Sequence, residues 1–309
     1  MNYTPKISVV IPLFNAEKYI YKALKSIFIQ NYKNVQAIVV DDCSTDNSLL
    51  EVKKYIRDSE NNIEIICLNK SFGPSKCRNV GFEKAEGEYI FFLDADDMMA
   101  DHFFEACTSL LELNKNIEVI NFKSYFFDNE MHKFSKGYEK LKNNFIYSRD
   151  DFLNLIYKQR VTAVWMYLYS RKFLEKISPL FFEGIYYEDA LFTEKVILNM
   201  KTIGFLDEHL MYHRINNLSI TQNIQDENFR IISYKNVIVE SNKMKSNIPP
   251  LSNLENKYIN YQNSISFLEL IKFKNLKLSG ALSFKSVNRV RLPPKIFLKV
   301  VKYILKRVG

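Results

Sequence analysis

Cysteine is scarce in this sequence of 309 residues. The four cysteines, Cys43, Cys67, Cys77 and Cys107, show no Cys-x-x-Cys spacing and no pattern typical of a disulfide framework. The sequence therefore does not belong to the small, disulfide-stabilised class of secreted domains. We expect all four residues to be reduced thiols that pack as small hydrophobic side chains.

Long apolar runs are also absent. No segment reaches the roughly 18 uncharged apolar residues that a membrane-spanning helix requires. The N-terminal residues M-N-Y-T-P-K lead directly into a predicted strand and lack the hydrophobic region of a signal peptide. The sequence thus predicts a mature N-terminus and a cytoplasmic protein. With 47% hydrophobic residues, the chain can bury one large core or two modest ones.

Acidic residues are missing from the last part of the chain. The formal net charge is +8, but residues 271–309 hold eleven Lys or Arg and no Asp or Glu, which leaves 32 bases and 35 acids in residues 1–270. A nucleic-acid-binding domain usually spreads positive charge over its folded face. We therefore expect no nucleic acid partner.

The end of this basic segment has the pattern of an amphipathic helix. After Pro293-Pro294, apolar residues recur on one helical face, and lysines recur on the other. The lysines are Lys295, Lys299, Lys302 and Lys306. We expect this helix to bind an anionic membrane surface, which would place the protein peripherally on the inner face of the membrane. The alternatives are that the charges form a solvated face and that the apolar stripe packs on the body of the protein.

Two common nucleotide-binding motifs are missing as well. There is no G-x-G-x-x-G after the first predicted strand and no G-x-x-x-x-G-K-[ST] anywhere, so neither the dinucleotide fingerprint nor the P-loop fits. A nucleotide would have to be held differently. Carboxylates at strand ends can accept hydrogen bonds from a base or a ribose, an aromatic residue such as Phe14 can flank the base, and a metal can carry the diphosphate.

Apolar segments with β-branched residues alternate with segments of helical period over the first 93 residues. This alternation predicts a parallel sheet flanked by helices, in which ligands bind beyond the carboxyl ends of the strands. The predicted strands are Ile7–Phe14, Val35–Asp42, Ile63–Leu68 and Tyr89–Leu93, and the predicted helices are Glu17–Gln30, Asp46–Arg57 and Pro74–Ala85.

Three carboxylates follow the fourth of these strands. In the stretch G-E-Y-I-F-F-L-D-A-D-D-M-M, the apolar run ends at Asp94, Asp96 and Asp97. Oxygen ligands on a turn suit a hard divalent cation such as Mg²⁺ or Mn²⁺, which often shares its coordination with substrate phosphates. The alternative is that these aspartates cap the next helix, which is predicted at Asp101–Leu113.

Four motifs, in order, resemble those of the family 2 inverting glycosyltransferases with the GT-A nucleotide-sugar-binding fold. They are V-V-I-P-L-F-N, V-V-D-D-x-S-T-D, G-P-S-x-x-R-N-x-G and A-x-G-E-Y-I-F-F-L-D-A-D-D. The resemblance implies that Pro12, Phe14 and Asp42 line the nucleoside pocket, with Asp42 facing the base, and that Arg78 helps to hold the nucleotide. From the residues alone, Arg78 is equally expected to pair with a strand-end carboxylate such as Asp42. Cys43 departs from the family, which most often has Gly there.

The resemblance also assigns the metal motif. Asp94 and Asp96 look like the D-x-D pair, in which Asp96 is the direct ligand of Mn²⁺ or Mg²⁺ and Asp94 reaches the ribose or a metal-bound water. Further on, Tyr212–Thr221 resembles the family segment that closes over the diphosphate. There, His213 completes the metal sphere or Arg214 neutralises phosphate. From the residues alone, a single His at a strand end is more often structural.

Two further segments resemble the acceptor side of the family's site. Ala163–Leu174 is similar to a strand-turn-helix that bears an aromatic residue at the acceptor site, here Trp165, which is otherwise a core residue. E-D-A-L-F matches the family's E-D motif, in which the Asp, here Asp189, is the catalytic base; Glu188 is assigned to acceptor binding. The alternative is that both acids complement the N-terminus of a helix.

The remaining sequence completes the predicted organisation. Strands are predicted at Ile117–Phe127 and Ile203–Leu206, and helices at Asp226–Met244 and Leu254–Lys274. The predicted fold class is α/β, with a Rossmann-like, mostly parallel GT-A sheet in residues 1–221 and a helical extension in residues 222–309.

The predicted function is transfer of a hexose from a nucleotide sugar, with UDP-hexose as the first expectation, to a sugar hydroxyl of a lipid-linked or other surface glycan. The competing hypotheses are a nucleotidyltransferase, which would need a Gly-rich basic phosphate loop that I-P-L-F-N-A-E-K does not offer, and a non-catalytic sugar- or lipid-binding protein whose acids cap helices.

Overall fold

A computed structural model of the chain describes residues 3–59, 61–127, 133–136, 141–159, 162–215, 227–247 and 251–270. Within these residues, one sheet of ten strands lies between helices. The strands are β1 Ile7–Leu13, β2 Val35–Asp41, β3 Ile63–Cys67, β4 Tyr89–Phe92, β5 Met98–Met99, β6 Val119–Phe127, β7 Lys133–Lys136, β8 Phe145–Ser148, β9 Tyr167–Ser170 and β10 Thr202–Arg214. The α-helices are α1 Ile20–Phe28, α2 Ser48–Ser59, α3 Pro74–Lys84, α4 Phe103–Leu113, α5 Arg149–Ile156, α6 Arg171–Lys176, α7 Glu188–Asn199, α8 Glu227–Asn247 and α9 Asn253–Leu270.

The first half of the sheet is parallel, as the sequence predicts. Its strands lie in the order β3-β2-β1-β4, and all three neighbouring pairs run parallel. The two central strands, β1 and β4, are almost completely buried because helices cover both faces of the sheet, which is why they read as continuous apolar runs. Their carboxyl ends therefore meet along one edge, which we call the rim.

The second half of the sheet is mixed and contains a pairing that the sequence does not predict. The strand predicted at Ile117–Phe127 does not follow β4 directly. Instead, β9 lies between β4 and β6 and is antiparallel to both. All but the last residue of this four-residue strand are buried, so the aromatic side chains of Y-L-Y-S fill the centre of the core.

Strand β10 is much longer than the predicted segment Ile203–Leu206. It runs parallel to β6 over Ile203–Arg214, with register shifts near His209. Its last residues, His213 and Arg214, thereby reach the rim. The extra length comes from pairing with three neighbouring strands, β5, β6 and β8. Such pairing cannot be predicted from the local content of apolar residues alone.

The described helices of the C-terminal extension pack on the body of the protein. Tyr258 and Ile259 of α9 belong to the main core, and Glu255 of α9 pairs with Arg149 of α5 at 3.1 Å. The predicted boundary at 221/222 and the basic segment 271–309 lie outside the described residues. No helix in the described parts of the chain is both long enough and apolar enough to cross a bilayer.

The cysteines are all free thiols, but they are not all packed. Cys77 and Cys107 are buried, as the sequence predicts, whereas Cys43 is partly buried and Cys67 is exposed. Cys67 is the last residue of β3, the edge strand of the sheet, where the alternating side-chain pattern leaves one position open to solvent. The prediction of packed thiols is therefore wrong for Cys67.

Helix α3 approaches β1 unusually closely at a glycine. A Cβ atom on Gly81 would lie 2.2 Å from Cγ1 of Val10, whose side chain is fully buried. A branched, buried side chain has no room to move aside. Gly81 thus sets the distance between α3 and the sheet, and the same helix carries Arg78.

We expect Gly81→Ala to lower the free energy of unfolding by about 1–3 kcal/mol, because the overpacking at Val10 outweighs the better helix propensity of alanine. Equilibrium denaturation in urea measures this change. Val10→Ala removes the obstructing methyl groups, so the double variant should be more stable than the sum of the two single losses implies. Wild-type stability in Gly81→Ala alone would contradict the close packing.

Candidate active site

A cavity of about 820 Å³ opens at the rim, in the size range of small-molecule sites. Strands β1 and β10, the segment that follows β4 and the start of α7 contribute to its walls. Every site residue that the sequence predicts lines this cavity. These residues are Pro12, Phe14, Asp42, Arg78, Asp94, Asp96, Trp165, Glu188, Asp189, His213 and Arg214.

Arg78 is a buried bridge between two of these acids. Its Nη1 atom donates to Glu188 Oε1 at 2.7 Å, and its Nη2 atom donates to Asp94 Oδ1 at 2.9 Å. Burial alone would lower the pKa of this guanidinium, but Asp94 and Glu188 raise it above its ordinary value, so the group stays charged. Arg78 therefore pairs with Asp94 and Glu188 rather than with Asp42.

This arrangement favours the ion-pair interpretation of Arg78 over direct nucleotide binding. Both terminal nitrogens of the guanidinium are engaged, and the group lies 5.4 Å from the centre of the Phe181 ring. Nε is buried and has no hydrogen-bond partner among the described residues. A contact between Arg78 and the nucleotide stays a prediction.

Asp42 holds the loop that follows β3. Its Oδ2 accepts hydrogen bonds from Ser71 Oγ at 2.7 Å and from Gly73 N at 2.9 Å, and its Oδ1 accepts from Phe72 N at 2.7 Å. The Cys77 thiol also hydrogen-bonds to this carboxylate, so the protein itself uses about as many acceptor positions as a carboxylate offers. The role of Asp42 in base binding stays a prediction.

The backbone beside Asp42 explains why glycine suits the next position. Cys43 has a φ of 61°, in the left-handed region that glycine adopts without strain. The Cys43 Sγ donates to the carbonyl oxygen of Leu68 at 2.9 Å, which ties the conformation to the end of β3. The departure from the family pattern is therefore accommodated by a local hydrogen bond.

Phe14 stands at the mouth of the cavity, directly after β1. Its side chain is 44% exposed, whereas the aromatic side chains of the neighbouring strand β4 are buried. Pro12 lies two residues earlier, on the last part of β1, and also lines the cavity. An exposed ring at this position is suited to flank a planar base, as the sequence predicts.

Asp97, the third of the carboxylates that follow β4, has a structural role. It is fully buried and accepts hydrogen bonds from the backbone N of Arg214 at 2.9 Å and from Nδ1 of His213 at 2.8 Å. This carboxylate therefore ties the D-x-D turn to the end of β10. The sequence gives no signal for these contacts, because His213 and Arg214 lie 116 and 117 residues after Asp97 in the chain.

Asp96 lines the cavity, and its carboxylate forms no ion pair with a Lys or Arg among the described residues. Burial, followed by the negative charges of Asp97 and Asp94, raises the pKa of Asp96 to about 7. A cation bound at this carboxylate would relieve that electrostatic cost. The backbone of the same residue accepts a hydrogen bond, since Arg214 Nε donates to Asp96 O at 3.3 Å.

His213 is fixed by two neighbours. Asp97 holds its Nδ1 atom, and the Trp165 ring stacks on it with 4.3 Å between ring centres and 12° between planes. Burial lowers the pKa of His213, but the nearby Asp97 raises it above its ordinary value. A carboxylate on one ring nitrogen is the usual support for a histidine whose other nitrogen ligates a metal.

The donor set fits a divalent cation that shares its coordination with a ligand. No group of three His, Cys, Asp or Glu side chains in the described residues is arranged to hold a metal by itself. Asp96 offers an uncompensated oxygen, and His213 offers a ring nitrogen. Mg²⁺ commonly uses one or two carboxylates together with waters and substrate phosphates. The residues present are sufficient for that mode.

The guanidinium of Arg214 contacts two aromatic rings. The centre of its guanidinium lies 4.6 Å from the ring centre of Tyr19 and 4.5 Å from that of Phe127. These contacts orient a cation at the wall of the cavity without neutralising it. Arg214 can therefore meet an anionic group of a ligand, as the sequence predicts; the role of Tyr19 was not predicted.

Asp189 lies in the first turn of α7, next to Glu188. Burial, followed by the charge of Glu188, raises the pKa of Asp189 to about 7, although Arg78 acts in the opposite direction. A carboxylate with this pKa can accept a proton near neutral pH. Glu188 is buried and turned towards Arg78, and Trp165 is only 5% exposed, so neither predicted acceptor residue offers much free surface.

Tyr187, which the sequence does not single out, precedes these acids in a strained conformation. Its φ of 65° lies in the left-handed region, which costs about 1–3 kcal/mol for a bulky side chain. The ring stacks on Tyr234 of α8 at 4.1 Å, and Arg230 Nε donates to its hydroxyl at 3.3 Å. Helix α8 therefore supports the turn that leads into Asp189.

Comparisons with known proteins agree with this geometry. The chain is 28% identical over 225 residues to the glycosyltransferase YibD of Escherichia coli. The aligned region covers 72% of this chain and 65% of YibD. It is 31% identical over 217 residues to the poly(ribitol-phosphate) β-N-acetylglucosaminyltransferase TarS of Staphylococcus aureus. This alignment covers 67% of this chain and 35% of TarS. The chain thus spans less than two thirds of either relative.

The fold agrees with a crystal structure of residues 1–349 of S. aureus TarS in complex with UDP-GlcNAc. The TM-score is 0.74 and the identity is 25%, over 94% of this chain and 82% of the other. The family profile described as glycosyl transferase family 2 matches residues 8–178, which include the metal motif and Trp165 but end before Glu188. Because that profile covers more than half of the chain and the fold agrees, the chain belongs to glycosyl transferase family 2 and has the GT-A fold.

Proposed function

We propose that this protein is an inverting glycosyltransferase that moves a hexose from a nucleotide sugar to a sugar hydroxyl. The proposed donor is a UDP-hexose, and the proposed acceptor is a lipooligosaccharide, a capsule precursor or another lipid-linked glycan. One observation carries the proposal. Asp189, with a pKa raised to about 7, lines the same cavity as the D-x-D residues, and Arg78 links Asp94 to Glu188, the neighbour of Asp189.

The mechanism is a single displacement. Asp189 accepts the proton of the acceptor hydroxyl as that oxygen bonds to the anomeric carbon of the donor. The bond from this carbon to the diphosphate breaks at the same time, so the configuration inverts and a nucleoside diphosphate leaves. Arg214, oriented by Tyr19 and Phe127, faces the negative charge that the leaving group gains.

The cofactor is proposed to be Mn²⁺ or Mg²⁺. Asp96 would hold it directly, with His213 and Asp94 beside it. Such a cation supplies Lewis-acid stabilisation of charge on a diphosphate. Asp97 keeps His213 in position through its hydrogen bond to Nδ1.

The proposed donor rests on similarity. TarS, whose structure was solved with UDP-GlcNAc, resembles this chain in sequence and fold, which supports a UDP-sugar. Its donor carries an N-acetylhexosamine, so a donor screen should include N-acetylated sugars beside simple hexoses.

The proposed location is the cytoplasmic face of the membrane. The basic segment 271–309 carries eleven Lys or Arg and no acid, and its final predicted helix is amphipathic. Both features support attachment to an anionic surface, where a lipid-linked acceptor would be met. Nucleic acid is not a proposed partner.

A screen of nucleotide sugars tests the proposed reaction. In the presence of Mn²⁺ or Mg²⁺, the wild-type protein should release nucleoside diphosphate from at least one UDP-sugar, and chelation with EDTA should stop the release. Asp96→Ala should abolish turnover. The midpoint of thermal unfolding should stay close to that of the wild type, because the substitution removes a side chain that lines the cavity and creates no void in the hydrophobic core. Near-normal, metal-dependent turnover in Asp96→Ala would contradict the assignment.

The role of Asp189 predicts a specific pH dependence. Below pH 7 this carboxyl becomes protonated and cannot accept a proton, so kcat/KM should fall about tenfold per pH unit well below that pKa. Asp189→Asn should lower kcat by roughly 10²–10⁴-fold and remove this acidic limb.

Glu188→Gln serves as the matched control for this pH profile. It removes the negative neighbour that raises the pKa of Asp189, so the acidic limb should move to lower pH. A loss in Asp189→Asn that is confined to donor affinity would instead place Asp189 in the nucleotide pocket.

The basic segment can be tested separately. Removal of residues 291–309 should release the protein from anionic vesicles, because each basic residue near such a surface contributes on the order of 1 kcal/mol. Hydrolysis of the donor should persist, and added salt should weaken binding of the full chain. A variant with Lys295, Lys299, Lys302 and Lys306 all changed to Glu keeps the apolar stripe as a control. A truncated protein that still floats with vesicles, or that unfolds, would refute membrane attachment.

A further inference from the structure

The surface next to Asp189 is formed by two tyrosines. The acceptor hydroxyl must come within about 2.6–3.2 Å of the base that deprotonates it. The sugar ring that bears this hydroxyl therefore lies over the residues that flank Asp189. Among these, Glu188 is turned towards Arg78 and Ala190 has only a methyl group, which leaves the larger cavity-lining side chains of Tyr186 and Tyr187.

Trp165 does not provide an alternative platform. Its ring is 5% exposed, stacks on His213 and meets the edge of Phe126 with 5.8 Å between ring centres. Trp165 therefore exposes too little of its ring for a sugar to stack on, whereas Tyr186 and Tyr187 are partly exposed. The position of Trp165 instead supports His213.

Helix α8 holds the two tyrosines in place. Ser233 Oγ accepts a hydrogen bond from Tyr186 N at 3.1 Å, and Tyr234 stacks on Tyr187. Tyr187 also packs against a small apolar cluster of Ile185, Leu191 and Val237, which joins α7 to α8. The left-handed conformation of Tyr187 thus depends on contacts from the C-terminal extension.

We propose that Tyr186 and Tyr187 form the acceptor subsite for a pyranose ring and that Ser233 and Tyr234 of α8 position this subsite against Asp189. The C–H groups of a pyranose carry partial positive charge and pack on the negative face of an aromatic ring. The extension therefore helps to place the acceptor. This inference rests on the proposed glycosyltransferase function and deepens it.

The test measures how much a pyranose accelerates donor cleavage. The probes are methyl β-pyranosides of glucose, galactose and N-acetylglucosamine, added to the nucleotide sugar that the wild-type protein hydrolyses fastest. At least one probe should speed nucleoside diphosphate release above the rate with water alone. Tyr187→Leu should reduce this ratio of rates by about tenfold, whereas Tyr187→Phe, which keeps the ring, should retain most of it.

Variants of α8 test the positioning role. Tyr234→Leu should raise the KM of the pyranoside more than it lowers kcat, and Tyr234→Phe should restore the wild-type KM. Val239→Ala is the matched control, because Val239 lies on the same helix with 39% of its side chain exposed. Thermal unfolding of each variant identifies a general loss of structure.

The outcomes separate the subsite from the proposed function. An unchanged ratio of rates in both Tyr186→Leu and Tyr187→Leu, or the absence of acceleration by every pyranoside, would overturn the subsite. In either case donor hydrolysis by the wild-type protein would still support the glycosyltransferase. Failure to cleave any nucleotide sugar would instead overturn the proposed function.

Discussion

The buried guanidinium of Arg78 holds the two halves of the active-site cavity together. It links Asp94, which follows β4 in the parallel half of the sheet, to Glu188, which begins α7. Removal of one partner from a buried ion pair typically costs about 3–5 kcal/mol, because a charge is left uncompensated. The positions of Asp94 and Glu188 are therefore coupled. If either carboxylate moved away, the charge of the buried Arg78 would lose a partner.

A second tie fixes the opposite wall of the cavity. Asp97 binds both the side chain of His213 and the backbone of Arg214, so the D-x-D turn and the end of β10 form one unit. Trp165 covers His213 from the side of the core. Together with Arg78, these contacts preorganise charged groups before any ligand binds, which reduces the cost of reorganisation during a reaction.

The extension has a larger part in the site than its sequence indicates. Its period predicts helices but not what they contact, and only the structure places Tyr234 of α8 against Tyr187. Tyr187, a strained residue two positions before the candidate base, persists in this conformation because neighbouring elements hold it there. The extension therefore contacts the rest of the protein through the turn that precedes Glu188 and Asp189, as well as through the core residues of α9.

The sequence by itself determined the parallel half of the sheet and eleven residues of the cavity, because continuous apolar strands and the polar residues that follow them are local patterns. It also indicated that Arg78 could pair with a carboxylate. Only the tertiary structure decided which one, and it alone inserted β9 between β4 and β6 and stacked Trp165 on His213. Such partners are distant in the chain, and their choice depends on packing of the whole core, which no local spacing encodes.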